Sequence, residues 1–243
     1  LYYKWLFGYF NLTHEHKRKE SGRRLFLSGS AAAIVANWMA PLRAQTADRL
    51  DPGGLTFRDF GVPDNGSSYT RGEQSIGGGT TQKFTRVLGI DPASQAVRLR
   101  FESVRVELLL PMGWQATEDG ERGVAYTIDK RIRLIVWRVD FAYEGVRDAE
   151  HYAATKAGSM KARRPGVEAQ ARKLRDGRFV IVYQNVPKGS SDSNGPRTVF
   201  DLIIPDPRNP KVGVLVTLGM PANEAGRGLQ LLALITQNMR IDW

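Results

Sequence analysis

Few residues in this sequence are of a type that can do chemistry, and their spacing limits what they can do. There are three histidines, His14, His16 and His151. An imidazole can serve as a general base near neutral pH. His151, however, sits beside Glu150 in what reads as the first turn of a helix, where a solvated or locally hydrogen-bonded ring is the simpler role. Glu118, Asp119 and Glu121 surround Gly120. They can act as a carboxylate pair or hold a divalent ion weakly, but the same pattern makes a charged hairpin turn. Asp192-Ser193-Asn194-Gly195 offers alternating oxygen ligands, yet no bidentate glutamate follows at the spacing of a calcium loop, and Pro196 comes next. Gly77-Gly78-Gly79 lacks the Gly-Lys-Ser/Thr ending of a phosphate-cradling loop and reads as flexible chain. After residue 44 there is neither a Gly-x-Ser-x-Gly elbow nor a Ser-x-x-Lys pair.

The basic residues give a better lead. Lys161, Arg163 and Arg164 fall at the end of a predicted helix, and Arg172, Lys173 and Arg175 follow closely. Cations at a helix C-terminus offset its dipole. The same cluster is a candidate patch for anionic lipid headgroups or an acidic partner.

Composition removes whole classes of function. With no Cys there is no disulfide framework, thiolate nucleophile or thiolate metal site. A single histidine beyond residue 44 rules out a multi-histidine site within one chain. The net charge of +10 arises from 35 Lys and Arg against 25 Asp and Glu. Residues 1–44 hold seven of the bases and two of the acids, leaving 28 and 23 for the remainder. That balance is too mild for a dedicated nucleic-acid binder. No cofactor and no metal site is expected beyond a weakly held divalent ion.

The first 44 residues read as a secretory leader. A basic stretch over residues 17–24 precedes an apolar run of about 15 residues, shorter than the roughly 20 needed to span a bilayer. Small residues close the run, placing cleavage between Ala44 and Gln45. Arg23-Arg24-Leu25-Phe26-Leu27 resembles the twin-arginine export motif, in which Arg23, Arg24, Phe26 and Leu27 carry the signal. Gly22 and Ser28 depart from its usual flanks. The resemblance implies passage through the twin-arginine translocase, trimming by a signal peptidase, and residence in the periplasm, or in the thylakoid lumen of a photosynthetic host. The first Met is Met39, so residues 1–11 are expected to precede the translation start, at Leu12.

Residues 45–95 are rich in Gly, Ser and Asp and read as an arm or linker, with short strands near Leu55–Phe60 and Lys83–Leu88. Regular patterning begins near residue 96. Strands are predicted over Ala96–Phe101, Val104–Leu110, Gly123–Ile128 and Arg131–Phe141, the last apolar on both faces. A helix over Asp148–Ala162 follows, with Ala149, Tyr152, Ala153 and Met160 as its stripe. Glu168–Leu174 and Arg178–Asn185 pair across Asp176-Gly177. Arg197–Ile204 and Lys211–Gly219 are further strands, and a helix over Glu224–Arg240, capped by Asn223, closes the chain. Strands, helix, strands, helix imply an α+β domain over 96–243: a twisted antiparallel sheet flanked by helices.

The strand that runs into Pro111-Met112-Gly113-Trp114, together with this element order, resembles the PsbP-like and DcrB-like domains. The resemblance covers residues 96–243. It implies an α/β/α sandwich and an extracytoplasmic accessory or binding role, and it transfers no site residues. The sequence thus points to an exported, non-enzymatic protein that docks on a protein partner or a membrane surface. An Asp/Glu-dependent hydrolase and a binder of ions or small ligands are the alternatives.

Overall fold

Apolar residues at both parities of Arg133–Asp140 demand a packed layer on each side, and the fold supplies both. The computed structural model describes residues 48–61, 83–118, 120–187 and 195–243. Arg23, Arg24, Phe26, Leu27, Ala44, Gln45, the Gly77–Gly79 run, Asp119 and Asp192–Asn194 lie outside the described residues. The strands are β1 (Lys83–Phe84), β2 (Arg86–Asp91), β3 (Ala96–Phe101), β4 (Val106–Pro111), β5 (Gln115–Glu118), β6 (Arg122–Tyr126), β7 (Arg133–Asp140), β8 (Glu168–Lys173), β9 (Phe179–Val186), β10 (Arg197–Pro205), β11 (Val212–Pro221) and β12 (Arg240–Ile241). Helix α1 spans Ala149–Arg163 and α2 spans Gly228–Gln237.

Eight strands form one sheet in the order β1-β5-β6-β7-β11-β10-β9-β8, and β12-β4-β3-β2 form a second, with every pair antiparallel. On one face of the large sheet lies α1, whose Ala149, Tyr152, Ala153, Ala157 and Met160 are buried. Asp148 caps this helix, its carboxylate accepting from the His151 N–H at 2.8 Å. On the other face lie α2 and the small sheet together. Leu99, Phe101, Leu108 and Leu110 of the small sheet and Leu229, Leu232 and Ile235 of α2 join Leu134, Val136, Val216 and Leu218 in one core. Each such side chain, fully buried, contributes about 1.5–3 kcal/mol. The class is therefore the expected α+β, with a helix on each face of the main sheet and a second sheet sharing the face with α2.

The two sheets meet closely at Gly123, where an added Cβ would lie 2.2 Å from the Phe101 ring. The chain passes from small sheet to large through Pro111-Met112-Gly113-Trp114. Gly113 adopts φ +78°, which a side chain disfavours, and Met112 and Trp114 are buried.

Three expectations are corrected. The expected strand near Leu55–Phe60 is a 3₁₀ turn over Phe57–Asp59, because the Asp59 carboxylate accepts from the Thr56 N–H at 2.7 Å and from its hydroxyl at 3.0 Å. Nor do residues 48–61 and 83–95 stand off as an arm. Phe57 and Phe60 are buried in the α2-side core, the Trp114 indole donates to the Phe60 carbonyl at 3.0 Å, and β1 and β2 belong to the two sheets. The last helix also differs from its expected span. A 3₁₀ segment occupies Ala222–Arg227, α2 starts only at Gly228, and the chain leaves it at Gln237 to pair β12 with β4. Asn223 caps nothing.

Candidate functional site

Helix α1 stands on only half of the large sheet. It packs on β8, β9 and β10. On the same face the α1 core reaches Val139 of β7 and Leu215 of β11, but Val124 of β6 and Ile135 of β7 lie outside it. Side chains alternate along a strand, so the register fixes which ones face this side: Val124 and Tyr126 of β6, Ile135 and Trp137 of β7, and Thr217 of β11. All five are half-buried, as on an open sheet face, and neither apolar core includes Val124 or Ile135. The floor carries no side chain at Gly219.

The wall beside this floor is α1. Tyr152, Lys156, Ser159 and Arg163 are spaced four, three and four residues apart, which stacks them on one side of the helix. Lys156 reaches down to the sheet. Its Nζ lies 2.7 Å from Asp201 Oδ2, with side chains 14% and 2% exposed. The Thr217 hydroxyl donates to the other carboxylate oxygen at 2.5 Å. The ammonium also sits 5.8 Å and 5.7 Å from the ring centroids of Trp137 and Tyr152. Next to this pair is the Tyr183 hydroxyl, buried and without a well-formed hydrogen bond, as is the Trp137 indole N–H. Burial, and then the Asp201 charge, push the Tyr183 phenol well above its ordinary range. Arg163 is close enough for its charge to act on Tyr183 from the far end of the wall. The result is a ledge with an apolar floor and a cationic wall. Its buried carboxylate, Asp201, is engaged by Lys156 and Thr217.

None of Lys156, Asp201, Thr217, Tyr183 or Trp137 stands out by motif. The available signal is a lone acid, Asp201, inside the apolar run Val199-Phe200-Asp201-Leu202-Ile203, and a lone Lys between Tyr152 and Met160 on a buried helix stripe.

The basic residues singled out from sequence are dispersed. Lys161, Arg163 and Arg164 lie at the C-terminal end of α1. Lys173 lies near its start, 3.6 Å from Glu150 and over the Phe179 ring. Eleven helical residues, about 16 Å of rise, separate Glu150 from Lys161. Arg172 and Lys173 are neighbours on a strand and so face opposite sides. Arg175 binds Asp48, its Nε 3.0 Å from the carboxylate. Of these six, Arg163 donates to the Ser159 carbonyl of its own helix at 3.1 Å. The other candidates take local roles. His151 Nδ1 accepts weakly from the Arg147 N–H at 3.4 Å. Glu118 is buried and accepts from the Ser103 N–H and hydroxyl, both at 2.9 Å.

A separate cleft of about 480 Å³ opens between Arg49, Asp51, Asp176, Arg178 and Thr236. Its charged side chains are partly spent on each other, with Arg178 2.6 Å from Asp176. Among the described residues, no three His, Asp or Glu are grouped as a metal ion requires, and no helix is long and apolar enough to cross a membrane.

No protein-family profile matches this chain, and no curated protein does. Solved structures do resemble it. The Ran-binding protein Mog1p of Saccharomyces cerevisiae aligns over 60% of this chain and 95% of its own, at 14% identity and a TM-score of 0.45. The cyanobacterial PsbP (CyanoP) of Synechocystis aligns over 70% of this chain and 98% of its own, at 14% identity and a TM-score of 0.42.

Proposed function

We propose that this chain is an exported, non-enzymatic accessory protein that binds a protein partner outside the cytoplasm, through the ledge between α1 and β6–β7–β11. The observation that carries the docking role is the floor itself. Val124, Ile135 and Trp137 form a row of apolar side chains across two strands, half-buried beside a helix that packs chiefly on β8, β9 and β10. Partly exposed apolar rows rimmed by polar groups mark contact sites. Export rests on the leader: Arg23, Arg24, Phe26 and Leu27 engage the twin-arginine translocase, and cleavage falls between Ala44 and Gln45. Residence is then periplasmic, or in the thylakoid lumen in a photosynthetic host.

Two experiments test the reading. Replacing Arg23 and Arg24 with Lys should leave the uncleaved precursor in the cytoplasm, and normal fractionation of that variant would refute export by this route. For docking, p-benzoyl-phenylalanine in place of Tyr126 on the floor should photo-cross-link a partner in living cells. The same group in place of Tyr143, which is 66% exposed in the turn after β7, should not. Equal labelling from both positions would remove the ledge as the binding surface.

A further inference from the structure

We infer that the edge strand β8 is the seam of a two-fold dimer, in which a second copy of this chain continues the large sheet. Among the described residues, four strands end the two sheets: β1 and β8 in one, β12 and β2 in the other. An unpaired edge is a template for another strand, and proteins blunt it by shortness, bulges or proline. β1 and β12 have only two residues each, and β2 slips register between Val87 and Gly89. β8 has none of these devices. Its six residues keep unbroken register with β9 and include no Pro or Gly, and among the described residues no strand pairs with its other side. Glu168, Gln170, Ala171 and Lys173 are exposed along it.

The sequence of β8 is complementary to itself. A two-fold axis normal to the sheet makes the two strands antiparallel and keeps opposed side chains on one face. With that axis at Gln170, Glu168 stands opposite Arg172 of the second copy, Ala169 opposite Ala171, and Gln170 opposite itself. Unlike charges therefore meet at both ends, where a strand of one sign throughout would repel its copy. Arg172 keeps its contact within the chain, and the pairing asks only that the two ends differ in sign. The alanines lie on the α1 face, Ala169 within the α1-side core, and leave room there for both helices.

Helix α1 fits the same axis. Glu150 lies 3.6 Å from Lys173, which marks the side of α1 that faces the edge. Ala154, Ala157 and Lys161 follow at helical spacing and share that side. The helix packs chiefly on β8 and β9. Strands about 4.8 Å apart then bring the two copies of α1 to about 10 Å between axes, a helix-packing distance that alanines permit. The helices run antiparallel, so Glu150 of one copy approaches Lys161 of the other. Lys161 forms no ion pair among the described residues. The midpoint between Glu150 and Lys161 lies about 8 Å along the helix from Glu150, and Gln170 lies about 10 Å along β8 from Lys173. One axis thus serves strand and helix, and both ledges open on the same face of the doubled sheet.

The test begins with sedimentation velocity of the full chain over a concentration series. A monomer–dimer equilibrium is expected, and a monomer at every concentration overturns the inference. Gln170 then locates the axis. Gln170→Cys sets a thiol opposite its own copy in a chain with no other Cys, at a Cα separation of about 4.5–5.5 Å that a disulfide spans. Mild oxidation should yield a covalent dimer, whereas Tyr143→Cys, in the exposed turn after β7, should not. Gln170→Lys and Gln170→Glu each place like charges on the axis and should weaken the dimer at least about tenfold. An equimolar mixture of these two variants should associate more tightly than either alone. A dimer that survives both charge variants, a mixture no tighter than its parts, or equal disulfide yields from the two cysteine variants puts the interface elsewhere and overturns β8 as the seam. If the charge variants do not melt like the parent, amide exchange in the parent decides. Greater protection of the β8 amides at high concentration than at low supports the seam, and unchanged protection overturns it. The cross-link expected from the ledge does not depend on this result, so the docking role stands or falls separately.

Discussion

Beneath α1 the Lys156 ammonium meets the Asp201 carboxylate at 2.7 Å, with 2% of the Asp201 side chain exposed. The two come from different layers, Lys156 from the helix and Asp201 from β10, so their contact fixes where the helix sits on the sheet. Removing one partner of such a pair strands the other charge in a medium that solvates it poorly. Lys156→Met should therefore cost about 3–5 kcal/mol, whereas Lys156→Met combined with Asp201→Leu should recover most of that loss. Urea denaturation of the three proteins checks this. Equal losses in the single and double variants would show that the pair is not the source.

Tyr183 gives the stability a dependence on alkaline pH. Its phenol is pushed above the ordinary value of 10.0, first by burial and then by the Asp201 carboxylate. The folded state therefore keeps the neutral form while the unfolded chain ionises. Stability from this group is fully present below pH 10 and is lost as pH rises beyond it, at about 1.4 kcal/mol per pH unit for one proton. Tyr183→Phe should remove that slope. At neutral pH it should change stability by under about 1 kcal/mol, because the hydroxyl lacks a well-formed hydrogen bond. Denaturation midpoints between pH 9 and 11 for the two proteins decide it, and parallel curves would contradict the assignment.

Most strands from Ala96 onward are legible in sequence as alternating or continuous apolar runs, and β7 announces two layers by being apolar on both faces. What is not legible follows from contacts distant in sequence. β5 is polar, and its buried Glu118 is stable there only because Ser103, fifteen residues earlier, supplies two donors. The Gly- and Asp-rich chain around Phe57 and Phe60 reads as a tether, yet its two aromatic rings find a core that only the folded small sheet and α2 provide. The ledge is hidden for the same reason. Val124 and Ile135 look like ordinary strand residues until the fold shows that they lie outside the core that α1 forms with the sheet.

Gly123 marks the closest contact between the sheets. A Cβ built there would lie 2.2–2.5 Å from three atoms of the Phe101 ring, and that ring is itself fully buried in β3. Gly123→Ala should cost about 1–3 kcal/mol through overpacking. Adding Phe101→Leu, which shortens the opposing side chain, should make the alanine less costly than it is in the parent. A thermodynamic cycle over the four proteins measures the coupling, and simple additivity would show that the two residues do not meet.

Trp114 ties the segment before β1 to the rest of the domain. Its indole donates to the Phe60 carbonyl at 3.0 Å in a buried setting. Around it, Arg58 donates to the Ala93 carbonyl at 2.6 Å, Arg227 donates to the Asp59 carbonyl at 2.5 Å, and the Arg227 guanidinium stacks over the Phe60 ring. Trp114→Phe keeps an aromatic side chain but leaves the Phe60 carbonyl without its donor, at a cost of about 1–3 kcal/mol. The loss should be local first. Hydrogen exchange at Asp59 and Phe60, whose amides bond the carbonyls of Thr56 and Phe57, should accelerate more than exchange in the central strands β10 and β11. If the parent protein already exchanges these amides as fast as a free peptide, residues 48–61 are not part of the folded body, and the role given to Trp114 fails with them.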